Sequence, residues 1–233
     1  MTIDTIIHKN ILIKILKDIF TNSLISQSLA FKGGTAAMLF YSLSRFSVDL
    51  DFDLLKTEKE ELVFNVITDI LKHYGTVKFQ NKRYSLFFLL SYKDKLDGGQ
   101  NIKVEINKRF FGSKYEVKQY LGIAMTVMVK EDMLANKLVA MHERIGKTNR
   151  DIFDVWFFLN NNWQINRTIV EQRTNMPYKA FLQKCIYELE TMSNRNILSG
   201  IGELVDEKQK AWVKANLIPE TLFLLRLALS NEN

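Results

Sequence analysis

The sequence predicts an α+β fold: a mixed sheet with its helices over residues 1–129, and an all-helical domain packed on it over residues 130–233. Three observations carry that expectation. Segments whose apolar residues alternate with period two lie before residue 130. Periodic segments after it repeat at three and four, the spacing of a helix. Only 2 of the 233 residues are proline, and the junction near residues 125–130 has no flexible linker, so the halves are expected to pack directly.

Along the chain, Ile3, Ile6, Ile7, Ile11, Ile15, Ile19 and Phe20 share one helical face within residues 3–29. A break at Thr21-Asn22-Ser23 divides that stretch into two helices. Leu29-Ala30-Phe31 then leads to Gly33-Gly34, and Thr35–Ser44 reads as a helix. Val48–Leu55 alternates strictly, with Val48, Leu50, Phe52 and Leu54 apolar and Asp49, Asp51 and Asp53 between them, as in a half-buried strand. Thr57 and Glu60 have the spacing of a capping box for a helix to about Tyr74. Thr76–Gln80 and Tyr84–Tyr92 read as strands, the second joined through Asp97-Gly98-Gly99 to a strand at Asn101–Asn107. A short strand at Ala124–Val129 precedes a helix at Lys130–Ile145, and Thr148 caps another through Leu159. Helices follow at 166–173, 178–192, 206–215 and 219–230, the last opened by Pro219 at its first position.

Composition excludes several classes. No stretch approaches the roughly 18 apolar residues of a membrane span, and the first residues lack the basic-then-apolar pattern of a signal peptide. The single cysteine, Cys185, rules out an internal disulfide, falls in a helical pattern as a small core residue, and suits a reducing cytoplasm. Residues 101–150 hold ten Lys/Arg against five Asp/Glu, a surplus of +5 that accounts for nearly all of the net +6. A polyanion such as a triphosphate or a nucleic acid fits that excess, as does a plain solvated basic surface. His8, His73 and His142 have no metal-ligand spacing, and no Ser-His-Asp or Cys-His arrangement stands out.

The chemistry concentrates in Phe31-Lys32-Gly33-Gly34-Thr35 and in Arg45-Phe46-Ser47-Val48-Asp49-Leu50-Asp51. Two glycines allow a tight turn and a close backbone approach to phosphate. Thr35 opens a helix whose first-turn N–H groups and hydroxyl form an anion site. Asp49 and Asp51 leave the same face of a strand about 6–7 Å apart, so both can converge on Mg²⁺, which prefers a few carboxylates plus substrate phosphates. Glu105, between apolar neighbours in Lys103-Val104-Glu105-Ile106-Asn107, supplies a third carboxylate if its strand lies beside theirs.

These residues resemble the DNA polymerase β nucleotidyltransferase superfamily. More narrowly, Lys32-Gly33-Gly34-Thr35 with Arg45, Ser47, Asp49 and Asp51 resembles the AbiEii family, toxins of type IV bacterial toxin–antitoxin systems. A second block, Lys130-Glu131-Asp132-Met133-Leu134-Ala135-Asn136-Lys137-Leu138 with Arg150-Asp151-Ile152-Phe153-Asp154, is similar to the family's later pattern. The matched blocks run from about residue 29 to 160, and the rest matches only as a generic helical tail. Fourteen residues lie between Gly34 and Asp49, slightly more than is common in the superfamily.

The resemblance implies a polymerase-β-like core and transfer of a nucleoside monophosphate from an NTP, with tRNA or another RNA as acceptor. It implies Mg²⁺, with Mn²⁺ as a substitute, and a cognate antitoxin as partner. By position it gives Lys32, Gly33, Gly34 and Thr35 to the triphosphate, and Asp49 and Asp51, with Glu105, to metal. It gives Lys137 to nucleotide phosphate or base, and Asp151 to a later essential acid that serves as a base or orients Lys137.

Blander readings stand beside these. Arg45 is expected to pair with Asp49 or Asp53, Asp154 with Arg150 one helical turn away, and Lys137 with Asp151 as a plain salt bridge. Asp53 is expected to be solvated or to support the metal pair. Lys108-Arg109-Phe110-Phe111 with Lys114, Tyr115 and Lys118 suits RNA backbone and base stacking, and equally a packed hairpin rim. Trp156, Phe157 and Phe158 are expected in the core. Two other functions fit the same motifs: a catalytically silent nucleotide-binding protein acting through a partner, and a small-molecule adenylyltransferase.

Overall fold

The computed structural model describes residues 4–92 and 100–232. Ile3 and the Asp97-Gly98-Gly99 turn lie outside the described residues. The fold is α+β, with a mixed seven-stranded sheet and eight α-helices among the described residues. The chain divides into two units. One comprises residues up to Ser42, Phe46–Phe110 and Lys114–Met128; the other comprises Leu43–Arg45, Phe111–Ser113 and the chain from Val129 on.

In the first unit, α1 (Thr5–Thr21) is capped by Asp4, whose carboxylate accepts from the backbone N–H groups of Ile6 and Ile7 at 3.1 Å. The second helix expected before residue 29 is reduced to one 3₁₀ turn, Ser26–Ser28, and Leu29–Lys32 is instead a strand, β1. Its run of Leu29, Ala30 and Phe31 is fully buried because β1 lies inside the sheet, where a strand covered on both faces loses its alternation. α2 (Gly33–Phe40) follows without a linking loop and stops four residues earlier than expected; Ser42, at φ 58°, turns the chain away.

The remaining elements are β2 (Leu50–Leu54), α3 (Glu60–Lys72), β3 (Thr76–Asn81), β4 (Ser85–Ser91), β5 (Asn101–Asn107), β6 (Tyr115–Tyr120) and β7 (Ile123–Met128). The sheet order is β3-β4-β5-β2-β1-β7-β6. β2 pairs in parallel with β5, and β1 with β7; the other pairs are antiparallel. The capping box at Thr57 and Glu60 does not form, since Glu60 turns to Lys108 and Asn81 instead. β6 escapes the sequence reading because it is an edge strand with Val117 72% exposed, so burial imposes no alternation on it. It joins β7 through Leu121 and Gly122, both at positive φ as a two-residue hairpin requires.

The period of two sorts the sheet into a dry face and a polar one. Phe31, Leu50, Phe52, Phe88, Leu90, Ile102, Val104 and Ile106 are fully buried. Phe52 meets Phe31 at 5.3 Å between ring centres and Phe20 of α1 at 6.2 Å, while Phe88 meets Phe64 of α3 at 5.3 Å. Each such ring stabilises the unit by about 2–3 kcal/mol through burial. The alternate residues, among them Lys32, Asp51, Asp53, Lys103, Glu105 and Asn107, are thereby committed to the opposite face.

The second unit contains α4 (Lys130–Arg144), α5 (Arg150–Asn160), α6 (Arg167–Thr174), α7 (Tyr178–Thr191) and α8 (Glu207–Ser230). Its core includes Leu134, Leu138, Phe153, Phe158, Phe181, Leu182 and Leu217. Phe158 is in that core as expected, while Trp156 and Phe157 are half-buried, Trp156 against Trp212 of α8 at 4.2 Å. Thr148 does not cap α5; Asn149 holds that position, its amide donating to the carbonyls of Asn196 and Ile197. Pro219 lies inside α8 rather than opening a helix. A proline there costs about 3 kcal/mol, and burial of Val213, Leu217, Thr221 and Leu225 along one stripe holds the helix continuous through it. No helix is long and apolar enough to cross a membrane among the described residues.

Candidate active site

Register places the acidic residues. The antiparallel β1–β2 ladder sets Lys32 opposite Asp51, and the parallel β2–β5 ladder sets Asp51 opposite Glu105 and Asp53 opposite Asn107. Asp49 lies just before β2 and continues the face of Asp51. Lys103 lies two residues before Glu105 on β5 and therefore shares its face.

The Lys103 ammonium gathers these carboxylates. Its Nζ is 3.1 Å from Asp51 Oδ1, 3.1 Å from Glu105 Oε2 and 3.9 Å from Asp49 Oδ2. Burial by itself would lower the Lys103 pKa, but Asp51, Asp49 and Glu105 outweigh it and raise the group above the ordinary lysine range. Next along the same face, Asp53 is buried rather than solvated. It accepts from Lys32 Nζ at 2.5 Å, Asn107 Nδ2 at 3.0 Å and the Tyr115 hydroxyl at 3.0 Å.

The glycine turn and α2 hold this arrangement from one side. Gly33 has φ 82°, and a Cβ built there would lie 2.6 Å from Asp51 Oδ2, so only glycine fits against that carboxylate. The Thr35 side chain is buried, and its hydroxyl donates to the backbone carbonyl of Asp49. With its one proton so used, Thr35 accepts from the Ser47 hydroxyl at 3.0 Å. His8 of α1 acts from the other side: Nε2 donates to the Val48 carbonyl at 2.9 Å, and Nδ1 lies 2.7 Å from the Tyr92 hydroxyl. Burial lowers the His8 pKa, against the Val48 bond and the Asp49 charge.

The second unit carries its own charged network. Arg45 grips Asp154 with both ends of its guanidinium, at 2.6 Å on each side. Lys137 Nζ lies 2.8 Å from Asp151 Oδ1 and 2.7 Å from Asp154 Oδ2. Asp151 also accepts from Arg144 at 3.0 Å. Asp154, expected to pair one turn away with Arg150, thus answers Arg45 and Lys137. Burial would raise both carboxyls and lower Lys137. Arg45 and Lys137 instead hold Asp154 low, Lys137 and Arg144 hold Asp151 low, and the two carboxylates raise Lys137.

Asp49, Asp51, Glu105, Lys32, Gly33, Gly34 and Thr35 therefore lie together in the first unit, and Lys137 and Asp151 together in the second. The sequence reading did not single out Lys103. Its signal was the alternation Lys103, Glu105, Asn107, but its partners depend on the β2–β5 register. Arg45 was recognised, but its contact with Asp154, 109 residues away, was not foreseen.

A family model described as nucleotidyl transferase AbiEii toxin, Type IV TA system, matches residues 14–215. The chain belongs to the AbiEii family. As an AbiEii protein it is a nucleotidyltransferase of the toxin type. Comparison with curated proteins gives no significant match. Among solved structures, JHP933 from Helicobacter pylori is 18% identical with a TM-score of 0.62, covering 99% of this chain and 94% of its own. MenT4, a nucleotidyltransferase toxin from Mycobacterium tuberculosis, is 17% identical with a TM-score of 0.53, covering 92% of this chain and 82% of its own. At these identities the likeness concerns the fold.

An AbiEii nucleotidyltransferase implies an NTP and a divalent metal. Among the described residues, no three His, Cys, Asp or Glu side chains are placed so that they could hold a metal ion as they stand. The residues nevertheless fit a cation: oxygens of Asp49, Asp51 and Glu105 all face one positive charge, the Lys103 ammonium. An all-oxygen set completed by substrate phosphates is the donor chemistry Mg²⁺ takes.

Two predictions follow from this geometry. Gly33→Ala should leave the circular dichroism spectrum unchanged while lowering nucleotidyl transfer roughly a hundredfold, because an ångström-scale shift of Asp51 acts on that scale; wild-type turnover would contradict the close approach. The second concerns pH. Asp151 and Asp154 have folded pKa values below their unfolded ones, so their contribution is in place above about pH 4 and is lost as pH falls through the folded values. Lys137 is raised, so its contribution is in place below about pH 10.4 and is lost as pH rises through its folded value. Thermal melts should show Asp154→Asn lowering Tm at pH 7 and flattening the acid limb; an unaltered acid limb would contradict the network's role.

Proposed function

We propose that this AbiEii protein transfers a nucleoside monophosphate from an NTP to a hydroxyl of RNA, with tRNA as the expected acceptor, in a Mg²⁺-dependent reaction. The observation that carries the proposal is the set of three carboxylates, Asp49, Asp51 and Glu105, turned onto one cation beside the Gly33 turn. Asp49, Asp51 and Glu105 would hold a divalent ion, which when bound would polarise the α-phosphate and acidify the acceptor hydroxyl. Gly33 and Gly34 bring the triphosphate close to the backbone at the start of α2, where unpaired N–H groups attract its charge. Thr35 contributes through its backbone N–H and by fixing the Asp49 carbonyl with its hydroxyl. Lys32, held by Asp53, adds positive charge next to the turn. The acceptor oxygen bonds to the α-phosphorus as the bond to the pyrophosphate oxygen breaks.

Lys137 takes the family role of countering charge on the nucleotide, and Asp151 that of orienting its ammonium, for which a 2.8 Å contact is suited. The acceptor reading rests on residues 101–118 and the neighbouring hairpin. Arg83 and Arg109 lie 5.0 and 5.2 Å from the Tyr84 ring, which is 47% exposed, and Phe110 is 71% exposed. Bases interleaved with open aromatic faces suit single-stranded RNA. A cognate antitoxin is the proposed partner, and a reducing cytoplasm, compatible with a single buried thiol, the proposed compartment.

Purified protein incubated with each α-labelled NTP, Mg²⁺ and total tRNA should label RNA with one preferred nucleotide. Asp51→Asn should cut that labelling roughly a thousandfold, the upper scale for removing one preorganised group from a charge-stabilising site. NTP binding without label on RNA would contradict the transferase reading for RNA and favour a small acceptor or a binding role.

A further inference from the structure

We infer that Lys103 is a tethered cation that competes with the divalent metal for Asp49, Asp51 and Glu105, so that metal enters only as the ammonium leaves. The inference rests on the reading of those three carboxylates as metal ligands. The ammonium lies within 3.1–3.9 Å of an oxygen from each of them. Mg²⁺ requires oxygens at 2.0–2.1 Å in near-octahedral order, and that is impossible while an ammonium stands between the same oxygens.

The surroundings favour displacement over a fixed structural pair. Lys103 is 24% exposed, so its ammonium can move to solvent or to an arriving phosphate without being stranded. Its four-carbon stem has the reach for such a move. The neighbouring ion pair differs: Lys32 meets Asp53, whose other contacts are Asn107 and Tyr115, and whose side chain is 8% exposed. Two lysines on one sheet face thus have different situations, one clamped in a buried cluster and one part-exposed over three carboxylates. A triphosphate arriving with metal gives the displaced ammonium a new anionic partner, so Lys103 couples metal entry to nucleotide entry. Lys103 is on this account a positioning residue that sets when the metal site opens.

The test is a titration of Mn²⁺ into nucleotide-free full-length protein, with free Mn²⁺ read by electron paramagnetic resonance. Lys103→Met should bind Mn²⁺ roughly tenfold tighter than wild type, the order expected when one competing charge leaves a part-buried site. Lys103→Arg should stay near wild type, and Asp49→Ala/Asp51→Ala should abolish the site. Equal or weaker binding by Lys103→Met would overturn the competition and leave the metal reading intact. Binding unaffected by Asp49→Ala/Asp51→Ala, or no binding by any variant, would overturn both. Wild type provides an arm independent of Lys103→Met folding: with lysines dimethylated and Lys103 assigned through Lys103→Arg, its NMR signal should move on Mg²⁺ addition. An unmoved signal at saturating Mg²⁺ would overturn the inference.

Discussion

Three carboxylates at neighbouring strands of the central sheet repel one another, and one lysine, Lys103, reaches over all three. The parallel β2–β5 register sets Asp51 against Glu105, like charges placed side by side. The same register brings Lys103 to within 3.1 Å of both. The dry face leaves no freedom to relieve the strain by slipping, since a one-residue shift would turn Phe52, Val104 and Ile106 outward. Packing on one face therefore fixes the charge arrangement on the other. Gly33, Thr35 and His8 then pin the Asp-x-Asp segment at Asp51, at the Asp49 carbonyl and at the Val48 carbonyl.

The helical unit solves a related problem by different means. Arg45, Lys137, Asp151 and Asp154 are two cations and two anions that satisfy one another with short, directed bonds. Such a network is worth little as net stability, but removing one member leaves a buried charge unanswered. It fixes the Lys137 ammonium between two carboxylates, which is how a flexible side chain acquires a defined place. Cys185, buried in the same unit with its thiol pushed up to about 12, is inert packing.

The sequence disclosed what local periodicity controls and concealed what long-range pairing controls. Asp49 and Asp51 were legible because alternation with Leu50 and Phe52 assigns them a face whatever lies beside them. Glu105 was legible in the same way, as a lone acid among Val104 and Ile106. Lys103 follows the same alternation, yet its meaning needs the β2–β5 register, and Arg45 needs a partner 109 residues on. β6 was hidden by its exposed edge position, and β1 by its burial on both faces. Pro219 misled because its local preference for a helix start is outweighed by packing along α8.

The proposed chemistry, a cation at Asp49, Asp51 and Glu105 next to a phosphate-binding turn, draws on membership of the AbiEii family and on the geometry of the sheet. The most direct test is a crystal structure of the protein grown with Mn²⁺ and a non-hydrolysable NTP, with Mn²⁺ located by its anomalous scattering. The account predicts an anomalous peak bound by Asp49 and Asp51, with the triphosphate at the Gly33-Gly34 turn. A peak bound elsewhere, with these two carboxylates making no contact to it, would contradict the account.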